Sequence, residues 1–194
     1  MKRFLAVLML VVMMCGCVGL AEEGKTFDPS VLEGKDGYSY DKFEKTWTYQ
    51  AVCGRGEEGG NTYLIALLIQ GQKNQIETSI LMFAVEEGDK LLDGLTKMAI
   101  VADDKLITVD KVLSNEGVTG IRLTKKCTEM LENLELAKNI SIRFYTQSAT
   151  NGHCDIEVQS EDFDSVRDAL KLVLEYELFD DEQSGEKITI ESVE

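Results

Sequence analysis

The chain has one histidine, one proline and one tryptophan in 194 residues, and aromatic residues make up 7% of it. Each scarcity removes a class of chemistry. With His153 alone, no HExxH-type metal site can form, and a Ser–His–Asp triad would have to recruit that one residue. There is no GxSxG nucleophile elbow. The glycine-rich stretch "GRGEEGG" (54–60) lacks the GK[ST] ending of a phosphate loop and puts Glu57 and Glu58 where phosphate charge would sit. It reads as a hairpin loop. Basic clusters are missing too. With 20 Lys and Arg against 35 Asp and Glu the net charge is −15, which argues against nucleic-acid partners and against attachment to anionic lipid by charge. The acidic groups Glu86–Glu87–Asp89, Asp103–Asp104 and Asp180–Asp181–Glu182 offer oxygen ligands, but none follows the DxDxDG pattern of a calcium loop. They read as solvated charge, with no metal and no cofactor expected. A Ca²⁺-stabilised surface domain is the alternative.

What is there begins at the N-terminus. Lys2 and Arg3 precede an unbroken apolar run of 11 residues, Phe4 to Met14, the pattern of a secretory signal and too short for a stable membrane span. Small residues at Gly19 and Ala21 mark an ordinary cleavage site before Glu22. In competition, "MCGC" resembles a degenerate lipobox that would leave a lipidated Cys17, a membrane-anchored lipoprotein rather than a secreted chain. Either ending places the mature protein outside the cytoplasm. Cleavage after Ala21 removes two basic residues and no acidic one, so the charge goes from −15 to −17.

The organisation expected is a signal peptide over 1–21, a flexible linker over 22–37, one globular domain over 38–179, and an acidic tail or edge strand over 180–194. The linker contains the only proline, Pro29, and no periodicity. Beyond it, "WTYQAVC" (47–53) alternates as a half-buried strand, and "TYLIALLIQ" (62–70) is apolar on both faces, as a central strand would be. Further strands are expected over 75–85, on either side of a turn near Asp103–Asp104 (96–110), and over 118–123, 139–145, 153–158 and 187–193. Two helices close the pattern. Thr124 caps the first, with Cys127, Met130, Leu131 and Leu134 as its apolar stripe, and Ser160 caps the second. The fold class is α+β: an antiparallel, sandwich-like sheet with two helices in the C-terminal half.

His153 stands beside a cysteine in "HCDIEV", which invites a thiol dyad. In a strand, neighbouring side chains point to opposite faces. Cys154 then points inward with Ile156 and Val158, while His153 shares the outer face with Asp155 and Glu157. A catalytic pair needs the two groups about 3 Å apart, so no catalytic residue is assigned. Cys53, Cys127 and Cys154 all fall on faces expected to be buried. In an oxidising compartment one disulfide is expected among the three, with the pairing open.

Tyr38, Tyr40, Phe43, Trp47 and Tyr49 make the start of the domain rich in aromatics. Trp47 and Tyr49 read as core, whereas Tyr38 and Tyr40 are the candidate binding residues. This stretch, "DGYSYDKFEKTWTYQA", together with the late order of helix, hairpin and helix, resembles small exported proteins of Gram-positive anaerobic bacteria. The resemblance spans roughly residues 38–178 and implies a bacterial, extracytoplasmic protein; it carries over no catalytic residue. The function expected is a non-enzymatic binding domain for a protein or carbohydrate ligand. The alternative is an extracytoplasmic hydrolase using His153 with acidic neighbours.

Overall fold

The computed structural model describes residues 27–55, 61–88, 90–110, 112–115, 117–180 and 187–193. Twelve strands and two α-helices are found among them. The first sheet runs in the order β1 (Tyr38–Asp41), β2 (Thr46–Arg55), β3 (Asn61–Gln72), β4 (Gln75–Glu87), β9 (Val118–Arg122) and β8 (Leu113–Asn115), with the short β5 (Lys90–Leu91) also on β4. The second runs β11 (His153–Val158), β10 (Ile140–Tyr145), β6 (Lys97–Ala102), β7 (Lys105–Asp110) and β12 (Lys187–Ser192). All pairings are antiparallel. The helices are α1 (Thr128–Leu136) and α2 (Asp164–Tyr176). This is the α+β, sandwich-like arrangement expected.

Period-two burial gives the sandwich its interior. Trp47, Tyr49, Ala51 and Cys53 of β2 are buried, as are Met98, Ile100 and Ala102 of β6. One apolar cluster joins the two sheets and both helices, and the rings of Phe83 (β4) and Phe144 (β10) meet edge to face across it at 5.9 Å. β3 and β4 are apolar on both faces because their outward side also packs: Ala66, Leu68, Met82, Ala84 and Val118 form a second, smaller cluster. Helix α2 lays Val166, Ala169, Leu170 and Val173 on the core beside β2 and β3. Arg167 fastens it to α1 by donating to the carbonyls of Glu135 (3.1 Å) and Ala137 (2.9 Å), which the end of α1 leaves without helical partners.

Three expectations need correction. Residues 27–37 are not a flexible linker. Phe27 and Leu32 are buried, and Pro29–Leu32 form a 3-10 turn in which the Asp28 carboxylate accepts from the Ser30 amide. Each helix also begins later than its expected cap. A 3-10 turn (Lys125–Cys127) follows Thr124 and a turn follows Ser160, so neither hydroxyl caps an α-helix. Finally, the expected disulfide is absent. Cys53, Cys127 and Cys154 are buried and not at disulfide distance from one another, because β2, the turn before α1, and β11 hold them apart. The last strand, β12, is an edge strand on β7, with Ile188 and Ile190 half-buried and the intervening side chains outward.

Candidate functional site

His153 and Cys154 lie on β11 as the alternation requires. Cys154 is buried, while His153 is half-buried beside Tyr145 across the β10–β11 ladder. The main partner of Asp155 is Arg143 rather than the histidine. It takes a two-pronged bond from Arg143, Nε to Oδ1 at 2.7 Å and Nη2 to Oδ2 at 2.6 Å, and that hydrogen bond holds its carboxyl below the usual range. Burial pushes the Cys154 thiol up to about 11 and the Cys53 thiol up to about 12, the reverse of what a nucleophilic cysteine needs.

Three of the acidic side chains are occupied by the fold. The Asp103 carboxylate accepts from the amides of Lys138 (3.0 Å) and Asn139 (2.9 Å), and Glu87 accepts from the Thr150 amide and hydroxyl, each at 2.9 Å. Asp180 is buried with Arg122 Nε at 3.7 Å. Among the described residues no group of three or more His, Cys, Asp or Glu side chains converges as a metal site. Asp89, Asp181, Glu182, Cys17 and the loop residues 56–60 lie outside the described residues.

A concave surface is found elsewhere. An open groove of about 750 Å³ separates α2 from β2 and from the segment 35–37. Its floor depends on Gly37, whose φ of 85° and missing β-carbon let the backbone approach Gln50 closely enough for the Gln50 amide to donate to Gly37 O at 3.1 Å. Beyond that bond β1 no longer covers β2. The Ser165 hydroxyl, from α2, occupies the Val52 carbonyl at 2.8 Å. Tyr49, Asp36 and Asp168 line the groove, and burial, then Asp168, then Asp36, raise the tyrosine hydroxyl above its ordinary range. The side-chain amide nitrogen of Gln50 is buried and has no hydrogen-bond partner among the described residues.

No known protein family, curated protein or solved structure matches this chain. The site is therefore read from its own geometry. A second groove, of about 570 Å³, lies over Asp93, Thr96, Tyr145 and Ser148, but its polar groups are bonded to one another: Ser148 Oγ accepts from the Asp93 amide (2.9 Å) and donates to the Asp93 carbonyl (2.9 Å). His153 lines neither groove. Of the two binding candidates, Tyr38 is half-buried against the core and Tyr40 is 49% exposed. Tyr38 pairs with Tyr49, a groove-lining residue, and Tyr40 pairs with Trp47 two positions further along the strand; neither tyrosine lines the groove itself.

The sequence reading overlooked Gln50 and Asp168. Neither belongs to a motif. The groove exists because α2 returns to β2 more than a hundred residues later, as the Ser165–Val52 bond records. The 3-10 turn that leads into its wall at Lys35 carries a local signal: "DPSVL" joins an N-cap residue to a proline at the first helical position.

Proposed function

We propose that this chain is an exported, non-enzymatic binding domain of a bacterial cell surface or its medium, and that the groove between α2 and β2 holds the ligand. One observation carries the reading: Gln50 lines the groove, and its side-chain amide nitrogen is buried with no hydrogen-bond partner among the described residues. A buried donor left without an acceptor costs about 1–3 kcal/mol, a cost that a ligand oxygen would remove once the Gln50 side chain turns toward the groove. The groove volume of about 750 Å³ suits a short carbohydrate or peptide segment. Asp36, Asp168 and Glu175 line the groove with Lys35 and Lys171, and Lys171 Nζ donates to Asp168 at 3.3 Å; the small acidic excess favours hydroxyl donors or a cationic group on that ligand. The lead from residue 1 to residue 21 supports export.

The test is an NMR titration of the secreted chain with cell-wall glycan fragments and with short cationic peptides. Amide shifts confined to residues 35–37, 49–52 and 165–175, weakened severalfold by Gln50→Ala, are expected. A panel that leaves these amides unmoved would remove the groove as the site. Turnover of any ligand would replace the binding reading with an enzymatic one.

A further inference from the structure

Strand β12 presents an open sheet edge of six residues, Lys187–Ser192, with no proline or glycine, paired on one side only with β7. The other edges are short or occupied. β1 and β8 have four and three residues. β2, where it runs past β1, has Gln50 N bonded to Gly37 and Val52 O to Ser165. β11 has its Asp155 carbonyl taken by Asn61 Nδ2 at 3.0 Å. An uncovered edge offers its N–H and C=O groups to another strand.

The bonds to β7 fix which groups those are. The Val193 amide continues the β12–β7 register and donates to Asp104 O at 2.7 Å. Backbone groups alternate sides along an antiparallel strand. Thr189 and Glu191 therefore bond β7, while Ile188, Ile190 and Ser192 turn their N–H and C=O outward. The side chains alternate as well: Ile188 and Ile190 are half-buried on the core, and Lys187, Thr189 and Glu191 are exposed. On β12, β7 and the turn before β7, Lys105 and Lys187 stand against Asp103, Asp104, Asp110 and Glu191. Lys97 lies 3.7 Å from Asp110, and Lys138 bears on Asp103, which brings the described charge here near balance. Asp181, Glu182, Glu186 and Glu194, nearby in sequence, lie outside the described residues. The net charge of −15 opposes association at long range, and physiological salt screens fields beyond about 8–10 Å.

We propose that β12 is an interface between two copies of this chain, paired antiparallel about Thr189 so that their five-stranded sheets become one. In that register Ile188 and the second copy's Ile190 exchange both backbone bonds, Thr189 meets Thr189, and Lys187 meets Glu191. Only outward-facing residues can bond, so the register moves in steps of two. Centring it on Ile188 sets Lys187 against Thr189, and centring it on Ile190 sets Glu191 against Thr189, leaving the charges unpaired. Opposite charges directly across a ladder stabilise it, and like charges there destabilise it. The stretch "KITIE" is thus complementary to its own reverse, which commits the edge to a second copy. The edge shares no residue with the groove beside α2, so the inference is independent of the ligand reading.

Sedimentation velocity of the exported chain over a range of concentrations tests this. The wild type is expected to shift reversibly from one copy to two as concentration rises. Lys187→Glu and Glu191→Lys each set like charges opposite one another, and each should weaken the dimer about tenfold or more. Glu191→Lys also lowers the net negative charge, so its loss of association cannot come from overall repulsion. An equimolar mixture of the two variants restores opposite charges at both positions and should recover association close to that of the wild type. Hydrogen exchange reads the register. The Ile188 and Ile190 amides should slow as concentration rises, whereas Thr189, already bonded to β7, should not. Thr189 protection also reports that each variant keeps β12 on β7. A wild type that stays single at every concentration overturns the proposal. So does a Glu191→Lys variant that associates as well as the wild type, or a mixture that recovers nothing.

Discussion

The indole of Trp47 lies against the backbone of Gly71, its partner across the β2–β3 ladder, where a β-carbon would collide with the ring and with the Gln75 carbonyl. The same indole is fully buried and bonded to Lys73 O. Gly71 also marks the register shift between β3 and β4. One missing side chain therefore seats the only tryptophan against the β3–β4 turn.

Gly71→Ala is expected to destabilise the fold by about 1–3 kcal/mol through overpacking. Urea denaturation followed by Trp47 fluorescence checks this. An unchanged midpoint would mean that the ring moves aside at little cost.

Phe83 and Phe144 join the two sheets, so their removal should weaken the whole sandwich. Phe83→Ala is expected to cost about 3–5 kcal/mol. A double-mutant cycle with Phe144→Ala should return a coupling of about 0.5–1.5 kcal/mol beyond the lost area. Strict additivity would mean that the ring contact contributes nothing of its own.

The buried thiols predict the alkaline behaviour. The folded-state values of Cys53 (about 12) and Cys154 (about 11) lie above the ordinary 9.0, both mainly through burial. Raised values favour the protonated, folded form. Their contribution is complete below the ordinary thiol value and is lost as pH rises through the folded ones. Burial raises Tyr49 and Tyr63 in the same direction. Chemical denaturation at pH 7 and at successive steps above pH 9 should show declining stability, with a shallower decline in Cys53→Ala. Thiol reagents should label Cys53, Cys127 and Cys154 quickly only after unfolding. Rapid labelling of the folded chain would contradict their burial.

Asp103, in the turn between β6 and β7, governs behaviour in acid. Hydrogen bonds from the Lys138 and Asn139 amides hold its carboxyl below the ordinary value. The contribution is present above the ordinary carboxylate range and lost as pH falls through the folded value. Asp103→Asn keeps a residue that tolerates the φ of 51° while removing the charge. Hydrogen exchange at Lys138 and Asn139 should be faster in the variant at neutral pH, and the wild type should approach it in acid. Equal protection at neutral pH would mean that the carboxylate does not hold this loop.

Much of the fold was legible because its signals are local. Alternation in "WTYQAVC" and "HCDIEV" predicted which side chains turn inward, and the same alternation separated His153 from Cys154. The helical stripe Cys127, Met130, Leu131 and Leu134 is buried as the spacing required. The failures came from contacts between distant segments. Phe27 and Leu32 looked like linker because a pair of apolar residues has no period; they are core because Trp47 and Tyr176 lie beside Phe27. The short strands β5 and β8 have too few residues to alternate, and exist by pairing with β4 and β9. The disulfide expectation counted cysteines on inward faces, and inward faces need not meet.

The sequence by itself determined the acidity, the strand faces and the two helical stripes, since each depends on composition or on residues a few positions apart. The tertiary structure alone decided that α2 would leave a groove against β2 with Gln50 in its wall. It also decided that β12 would pair with β7 and leave its other edge open. Both depend on how far elements remote in the chain approach one another, a distance set by packing volume and backbone pairing and written in no single stretch of residues.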